Sequence, residues 1–303
     1  FYYSHLETSS ITGRNQFIAF SHQQFQEILQ EEVHQMLTDN SSILPSNHPY
    51  YKVVTSVAWK LFNSNRDMKE MSEQKWTVAI IKDSSFNAHV FPTGHIVVNT
   101  GLLEFVQNTD QLAVIIGHEM SHALLQHAAE QISAAQLLDM VIILAMTALW
   151  AIMPTDGIAV VTQWFMNKVI HIFQTLPYSR EMEREADKVG LMLAARACFD
   201  VREGAVIWAR MGMKENIQGL GEIKLPEWLS THPSSEKRVE LIEHLLPKMY
   251  QLRENCRCGP LPARDPRENL PALKYLVDNH ITAVKSGQNL VRVQKLTDTR
   301  SRR

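Results

Sequence analysis

The chain has 303 residues, enough for one large domain or two small ones with a buried core. That size excludes a disulfide-stapled miniprotein, and a composition of 45% apolar and 20% charged residues is globular and excludes wholesale disorder and fibrous repeats. Thirty Lys and Arg against 32 Asp and Glu give a net charge of −2. Since this charge offers no large basic field to phosphates, we expect no nucleic-acid partner.

The first third of the chain predicts helices followed by a small sheet. Apolar residues recur at helical spacing over 21–40, and a second helical pattern covers 51–62. Three β-rich stretches follow, and the last two flank Pro-Thr-Gly, a hairpin-type turn. These stretches are 76–81, 87–91 and 95–99. We expect them to form a small antiparallel sheet.

An apolar helical hairpin is predicted over 137–173. Its first arm contains an apolar run at 140–153, shorter than the about 20 residues that a membrane-spanning helix needs, and its second arm covers 158–173. Asp139 and Lys168 favour partial immersion in a membrane, or burial in the protein core, over a clean span. The sequence leaves open which of the two occurs.

The remaining third is predicted to be helical to about residue 253, with a proline-punctuated, basic tail over 259–303. Three cysteines are too few for a zinc ribbon or a disulfide scaffold. They are Cys198, Cys256 and Cys258. One bridge from Cys198 to either of the others is left open, beside the alternative of unpaired thiols.

The sharpest motif is His118-Glu119-Met120-Ser121-His122, in a helical pattern that begins near Asp110 and is predicted to run past His127. Histidines four apart on a helix project from one face, so both can bind one zinc ion. Glu119 can take the proton of a water that attacks a carbonyl. The alternative is a helix with two incidental histidines, which the apolar turn before the motif disfavours because buried, unpaired histidines are costly.

A catalytic zinc needs a third protein ligand and an open position. A histidine at 128 would continue the motif, but that residue is Ala128, and His127 lies on another face, where we interpret it as a structural or surface histidine. Glu183 and Asp187 share a face of a second predicted helix. Glu183 can bind the metal while Asp187 holds a zinc-binding histidine by a hydrogen bond. Plain solvation is the alternative for such an acidic face.

These motifs resemble those of the integral-membrane and mitochondrial zinc peptidases, the family of HtpX and the type I CAAX prenyl protease. Besides the histidine motif, the resemblance covers Ser-Arg-x-x-Glu-x-x-x-Asp at 179–187, Thr-His-Pro-Ser at 231–234 with Arg238, and Asn-Ala-His-Val-Phe-Pro-Thr-Gly at 87–94. The motifs stand in the family's order and span about half of the chain.

The resemblance implies an α+β, mainly α fold of the zincin-like (gluzincin) class, with a small antiparallel sheet, a long active-site helix and the apolar hairpin. It implies one Zn²⁺ per chain, with Glu119 as general base. Its ligands would be His118, His122 and Glu183, and Asp187 would orient a zinc-binding histidine. His232 would donate a hydrogen bond to the oxyanion. An edge strand would align an extended substrate by backbone pairing, through His95, Ile96, Val97 and Val98.

The resemblance is strongest to the mitochondrial members of the family. It implies an ATP-independent, stress-activated zinc metalloendopeptidase of the mitochondrial inner membrane that faces the intermembrane space and undergoes autocatalytic cleavage. Its activity would overlap that of the matrix AAA protease, and its membrane-protein substrates would include a dynamin-like fusion GTPase. The domains would be an N-terminal helical region, 1–75, a peptidase domain, 76–258, and the tail. Binding of anionic lipid and a homo-oligomeric state are left open.

Two other functions stay open. One is a non-catalytic membrane scaffold with a structural zinc, and the other is a soluble zinc hydrolase of small molecules with the hairpin buried. Glu119 discriminates against the scaffold, because a structural site needs ligands but has no use for a carboxylate aimed at water.

Overall fold

The computed structural model describes residues 2–19, 42–150, 179–218 and 236–285, together with His232 and a few isolated positions between 27 and 37. Most of the helix predicted over 21–40, the second hairpin arm and the part of the tail after residue 285 lie outside the described residues.

Helices dominate the described residues, as predicted. The helices are α1 (Pro49–Asn65), α2 (Lys69–Glu73), α3 (Thr100–Phe105), α4 (Thr109–Leu124), α5 (His127–Trp150), α6 (Arg180–Arg196), α7 (Glu203–Gln218), α8 (Glu236–Asn255) and α9 (Leu270–Lys285). The strands are β1 (Leu6–Thr8), β2 (Asn15–Phe17), β3 (Thr77–Ile81), β4 (Ala88–Val90) and β5 (His95–Asn99). Short 3₁₀ turns occupy Tyr2–His5 and Pro266–Asn269.

The three predicted strands form one sheet, in the order β3-β5-β4. β4 and β5 make the predicted antiparallel hairpin, with Gly94 at φ 83° in its turn. The expectation of an antiparallel sheet is wrong for β3, which pairs in parallel with β5, Thr77 opposite His95. The chain reverses before β4 and again after it, so β5 regains the direction of β3 and inserts between the two earlier strands.

The expectation that the strand from His95 is an edge strand is therefore wrong. β5 is hydrogen-bonded on both sides, and Ile96, Val97 and Val98 are at most 1% exposed. A central strand has no free backbone edge on which a substrate could pair. Residues 42–44 also cover the outer side of β3, where Leu44 N donates to the Ile80 carbonyl. In the described ranges, β4 pairs with β5 alone.

The long helix predicted from Asp110 past His127 is divided into α4 and α5. Gln126 adopts a left-handed conformation, φ 55°, between the two helices. α5 is 24 residues long, and His127–Ala148 is long and apolar enough to cross a membrane, with few of its side chains buried in the protein. Its exposed apolar side chains include Leu138, Met140, Val141, Ile143 and Leu144. The first hairpin arm is therefore not buried in the core.

The N-terminal region begins with a feature that the sequence analysis missed, an antiparallel ribbon of β1 and β2 with Leu6 opposite Phe17. β2 packs against α5. Farther along, α1 joins the main core, where Val54 and Leu61 share a cluster with Ile115 of α4. Residues before 75 thus pack on the same core as α4.

One of the cysteine bridges that the sequence left open is present. Cys198 and Cys258 form a disulfide across a sequence separation of 60 residues, and Cys256 is an exposed free thiol. The bridge joins the end of α6 to the segment that follows α8.

Two glycines set the distance between α4 and α6. A Cβ on Gly190 would lie 2.6 Å from the backbone N of His118, and one on Gly117 would lie 2.9 Å from the Gly190 carbonyl oxygen. The backbones therefore cross in direct contact. Asp187 and Glu183 lie one and two helical turns before Gly190 on the same face, so the crossing aims both carboxylates at α4.

Replacement of Gly190 by Ala should lower the free energy of unfolding by about 1–3 kcal/mol, the usual cost of overpacking. Alanine stabilises a helix by up to about 1 kcal/mol relative to glycine. A net loss of stability would therefore show that the clash between the added Cβ and α4 outweighs this gain. Urea unfolding measures it. Gly259→Ala, where an added Cβ meets nothing within 4 Å, is the control. Equal stability of Gly190→Ala and wild type would contradict the backbone contact.

Candidate metal centre and active site

The two motif histidines project side by side from α4. The helix begins after Asn108, whose side chain accepts from the backbone N of Gln111, and it is buried on nearly every side. His118 is 1% exposed and His122 is 4% exposed. Their Nε2 atoms lie 3.1 Å apart, so both rings present the same nitrogen to one point.

Glu183 of α6 completes a three-residue group. Its Oε1 lies 3.4 Å from His122 Nε2, and its Oε2 lies 3.6 Å from His118 Nε2. Two ligands bound tetrahedrally to zinc at about 2.0–2.1 Å are about 3.3 Å apart, so the three observed separations fit this ion. Oε2 of Glu183 is buried and also lies 2.8 Å from Nη1 of Arg238.

His232 and Glu119 lie against this group. The ligand atoms of His118, His122, Glu183 and His232 are all within 4.8 Å of one another, and all four side chains are buried. His232 Nδ1 is 2.8 Å from Glu183 Oε1, and its Nε2 is 3.5 Å from Glu119 Oε1. The structure thus brings the predicted ligands, the predicted base and the predicted oxyanion donor into one buried cluster.

Comparison with known proteins agrees with this arrangement. The model of peptidase family M48 matches residues 52–246. The chain belongs to peptidase family M48. The predicted resemblance to the zinc peptidases is thereby confirmed.

Within family M48, the chain is similar to mitochondrial metalloendopeptidases named OMA1. It is 38% identical to the Bos taurus protein over 98% of this chain, 40% identical to the Danio rerio protein over 88%, and 32% identical to the Schizosaccharomyces pombe protein over 85%. The chain spans 56% of the length of the first two relatives and 72% of the third.

In this M48 chain, Asp187 contacts the ring nitrogen of His118 that faces away from His122. The distance from Asp187 Oδ1 to His118 Nδ1 is 3.1 Å. Arg238 of α8 donates to both Asp187 oxygens, from Nε at 2.8 Å and Nη2 at 2.6 Å, and its Nη1 lies 2.8 Å from Glu183 Oε2. The guanidinium stacks 3.5 Å from the ring centroid of Trp208. Arg238 therefore fixes the carboxylates of both Asp187 and Glu183. Its position in the family motif alone does not reveal this role.

Burial and charge favour deprotonated ligands. Burial lowers the pKa of His122 well below its usual value. The pKa of Glu183 is lowered although burial raises it, because the charges and hydrogen bonds of His232 and His122 outweigh burial. In Asp187 burial is likewise outweighed, by the charge of Arg238, so its pKa is also lowered. Metal ligands must be deprotonated, so these directions suit a cation site.

The pKa of His232 moves in the opposite direction. Burial alone lowers it, but the carboxylates of Glu119 and Glu183 outweigh burial and raise it. A raised pKa favours the protonated ring, which donates hydrogen bonds from both nitrogens.

His127 is structural, and the surface alternative is wrong. The residue is fully buried, and its Nδ1 lies 2.9 Å from His122 Nδ1, on the side of the ring that faces away from Glu183. A continuous helix would have placed it on another face. The break at Gln126, for which the sequence offers no glycine or proline, turns α5 so that His127 reaches back to α4.

The predicted substrate residues lie in β5, away from any open sheet edge. β4, at the edge of the sheet, packs against α4 instead. Asn99 N donates to the Asn87 carbonyl and Phe91 N donates to the His95 carbonyl. In an antiparallel pair, every second residue of a strand directs its backbone N–H and C=O toward the partner strand. Asn87 and Phe91 direct theirs toward β5, so the N–H and C=O of Ala88 and Val90 point to the opposite side, the outer edge of the sheet.

Proposed function

We propose that the chain is a zinc metalloendopeptidase whose zinc is held by His118, His122 and Glu183. The observation that carries the proposal is the buried group of three donors at zinc spacing, with Glu119 beside it. Membership in family M48 and the names of the relatives support the peptidase activity.

When bound, zinc polarises the peptide carbonyl and makes water acidic enough to attack it at neutral pH. Glu119 accepts the proton of the attacking water and passes it to the nitrogen of the leaving amine. Protonated His232 donates a hydrogen bond to the developing oxyanion, an interaction that is strongest in the transition state. Asp187 keeps the proton of His118 on Nδ1, so that Nε2 is available to the metal.

The alternative is a closed, structural site in which His232 is the fourth ligand. Four protein ligands are typical of structural zinc, and three with an open position are typical of catalysis. Glu119 favours the catalytic form, because a buried carboxylate near the ion, 3.5 Å from His232, adds nothing to a closed site. A small-molecule hydrolase would not need the sheet edge beside α4.

We place the substrate on β4 instead of β5. A peptide that pairs with the outward groups of Ala88 and Val90 would lie alongside α4, which carries Glu119. Backbone pairing holds a chain in extended form regardless of its side chains, so it suits a protease that acts on proteins.

We further propose that the enzyme works at the mitochondrial inner membrane, with its catalytic part in the intermembrane space. The relatives are named mitochondrial, and the exposed apolar face of α5 suits contact with lipid. The Cys198–Cys258 disulfide supports the side away from the reducing matrix. Membrane-protein substrates, among them a dynamin-like GTPase, follow from the family resemblance.

The catalytic assignment predicts that Glu119→Gln keeps zinc and loses activity. Removal of a general base costs about 10²- to 10⁴-fold in rate. Metal analysis and cleavage of labelled casein measure the two properties. Glu181→Gln, at an exposed acid of the same helix as Glu183, is the control. Cleavage at the wild-type rate by Glu119→Gln would overturn the assignment, and full zinc content in Glu183→Ala would overturn the ligand set.

The substrate strand predicts that Val90→Pro raises KM for a peptide substrate. Proline removes an outward N–H but spares the bonds to β5, so it is tolerated at an edge. One lost hydrogen bond is worth about 0.5–1.5 kcal/mol, equivalent to an increase in KM of about 2- to 10-fold. Val90→Ala, which retains the N–H, is the matched control. An unchanged KM at wild-type zinc content would rule out pairing at β4.

Membrane contact predicts that the double variant Val141→Asp, Leu144→Asp floats poorly with liposomes. The two side chains are 53% and 63% exposed, and each Asp costs about 2.5–3.5 kcal/mol inside a bilayer, so bound protein should fall about tenfold or more. Trp59→Asp, at a 62% exposed site on α1, is the control. Equal flotation of wild type and the double variant would contradict lipid contact through α5.

A further inference from the structure

The buried ring of His127 connects the metal centre to the N-terminal ribbon. Its Nδ1 lies 2.9 Å from Nδ1 of His122, and its Nε2 lies 3.3 Å from Oε2 of Glu185. His122 points its other nitrogen, Nε2, toward His118 and Glu183. His127 therefore lies directly behind a ligand of the proposed zinc.

One arrangement of protons satisfies every group in this chain of contacts. If His122 Nε2 binds the metal, the ring proton is on Nδ1 and is donated to Nδ1 of His127. The proton of His127 is then on Nε2 and is donated to the Glu185 carboxylate. His127 thus does for His122 what Asp187 does for His118 at the equivalent nitrogen.

Arg14, which precedes β2, fixes the far end of the chain of contacts. Its Nε donates to Glu185 at 2.7 Å, and its two Nη atoms donate to the two oxygens of Glu130 at 2.6 Å each. Such a planar, bidentate pair restricts both partners. Gln16 of β2 adds a bond of 2.8 Å from its Nε2 to the carbonyl of Leu125, in the turn that redirects the chain to His127.

We propose that His127 is a positioning residue for the zinc ligand His122, and that Arg14 of the N-terminal ribbon fixes His127 through Glu185. The proposal rests on the zinc ligand set proposed above. An apolar residue could fill the volume of His127, but it would leave the buried Nδ1–H of His122 without this acceptor. Zinc affinity should therefore depend on the acceptor as well as on packing.

The test measures zinc affinity of the full chain by competition with a chromophoric chelator, and the visible spectrum after substitution with Co²⁺. His127→Phe should weaken zinc binding by about 10- to 100-fold and shift the cobalt bands, the usual effect when a contact to a ligand is lost. His127→Asn, which keeps an acceptor at the position of Nδ1, should restore most of the affinity. Arg14→Met should also weaken zinc binding, by a smaller factor than His127→Phe.

Arg196→Met is the control, because it removes another ion pair between elements, to Asp67, outside the chain of contacts. Wild-type affinity and spectrum in both His127→Phe and Arg14→Met would overturn the proposal. Equally weak zinc binding by His127→Asn and His127→Phe would also overturn it, because altered packing alone would then explain the lower affinity. If His127→Phe does not fold, the zinc affinities of His127→Asn and Arg14→Met decide the outcome.

His122→Ala separates this proposal from the ligand set. Loss of zinc in His122→Ala with normal zinc binding in His127→Phe and Arg14→Met overturns the positioning role alone. Retention of zinc in His122→Ala overturns the ligand set.

Discussion

The direct backbone contact between α4 and α6 is the constraint on which the site depends. Gly117 and Gly190 allow the helices to approach more closely than any side chain would permit. At that distance, the short carboxylate of Glu183 reaches the two histidines of the other helix. A wider crossing would leave two nitrogens and one oxygen too far apart to share an ion. The proposed metal centre thus depends on helix packing as much as on the identity of its ligands.

Charge is the second constraint. Glu119, Glu183 and Asp187 bring three formal negative charges into a buried space, and Arg238 and protonated His232 return two positive charges. Uncompensated charge in a protein interior is costly, so the net negative charge that remains favours a cation. Arg238 is suited to its role because a planar guanidinium can bind one carboxylate with two donors, approach the second, and stack on Trp208.

The sequence predicts those parts of the site that depend on local geometry. His118 and His122, like Glu183 and Asp187, are four residues apart, and helical periodicity is sufficient to place each pair on one face. The strands and their hairpin turn are also local features. The order of the sheet is not, because the position of β5 between β3 and β4 is decided by pairing between distant segments. The role of His127 was missed for a related reason, since one left-handed residue, Gln126, redirects a helix whose periodic pattern continues without interruption.

The N-terminal region shows how contacts between distant segments join the start of the chain to the candidate site. The family match begins at residue 52, after the β1–β2 ribbon. Yet the ribbon supplies Arg14 and Gln16 to contacts that lead to His122, a proposed zinc ligand, and α1 fills part of the core against α4. A side chain that forms hydrogen bonds with two carboxylates on two different helices holds those helices in register. Because α5 carries both Glu130 of this network and the exposed apolar face, Arg14 and His127 connect the helix proposed to contact lipid with the proposed zinc site.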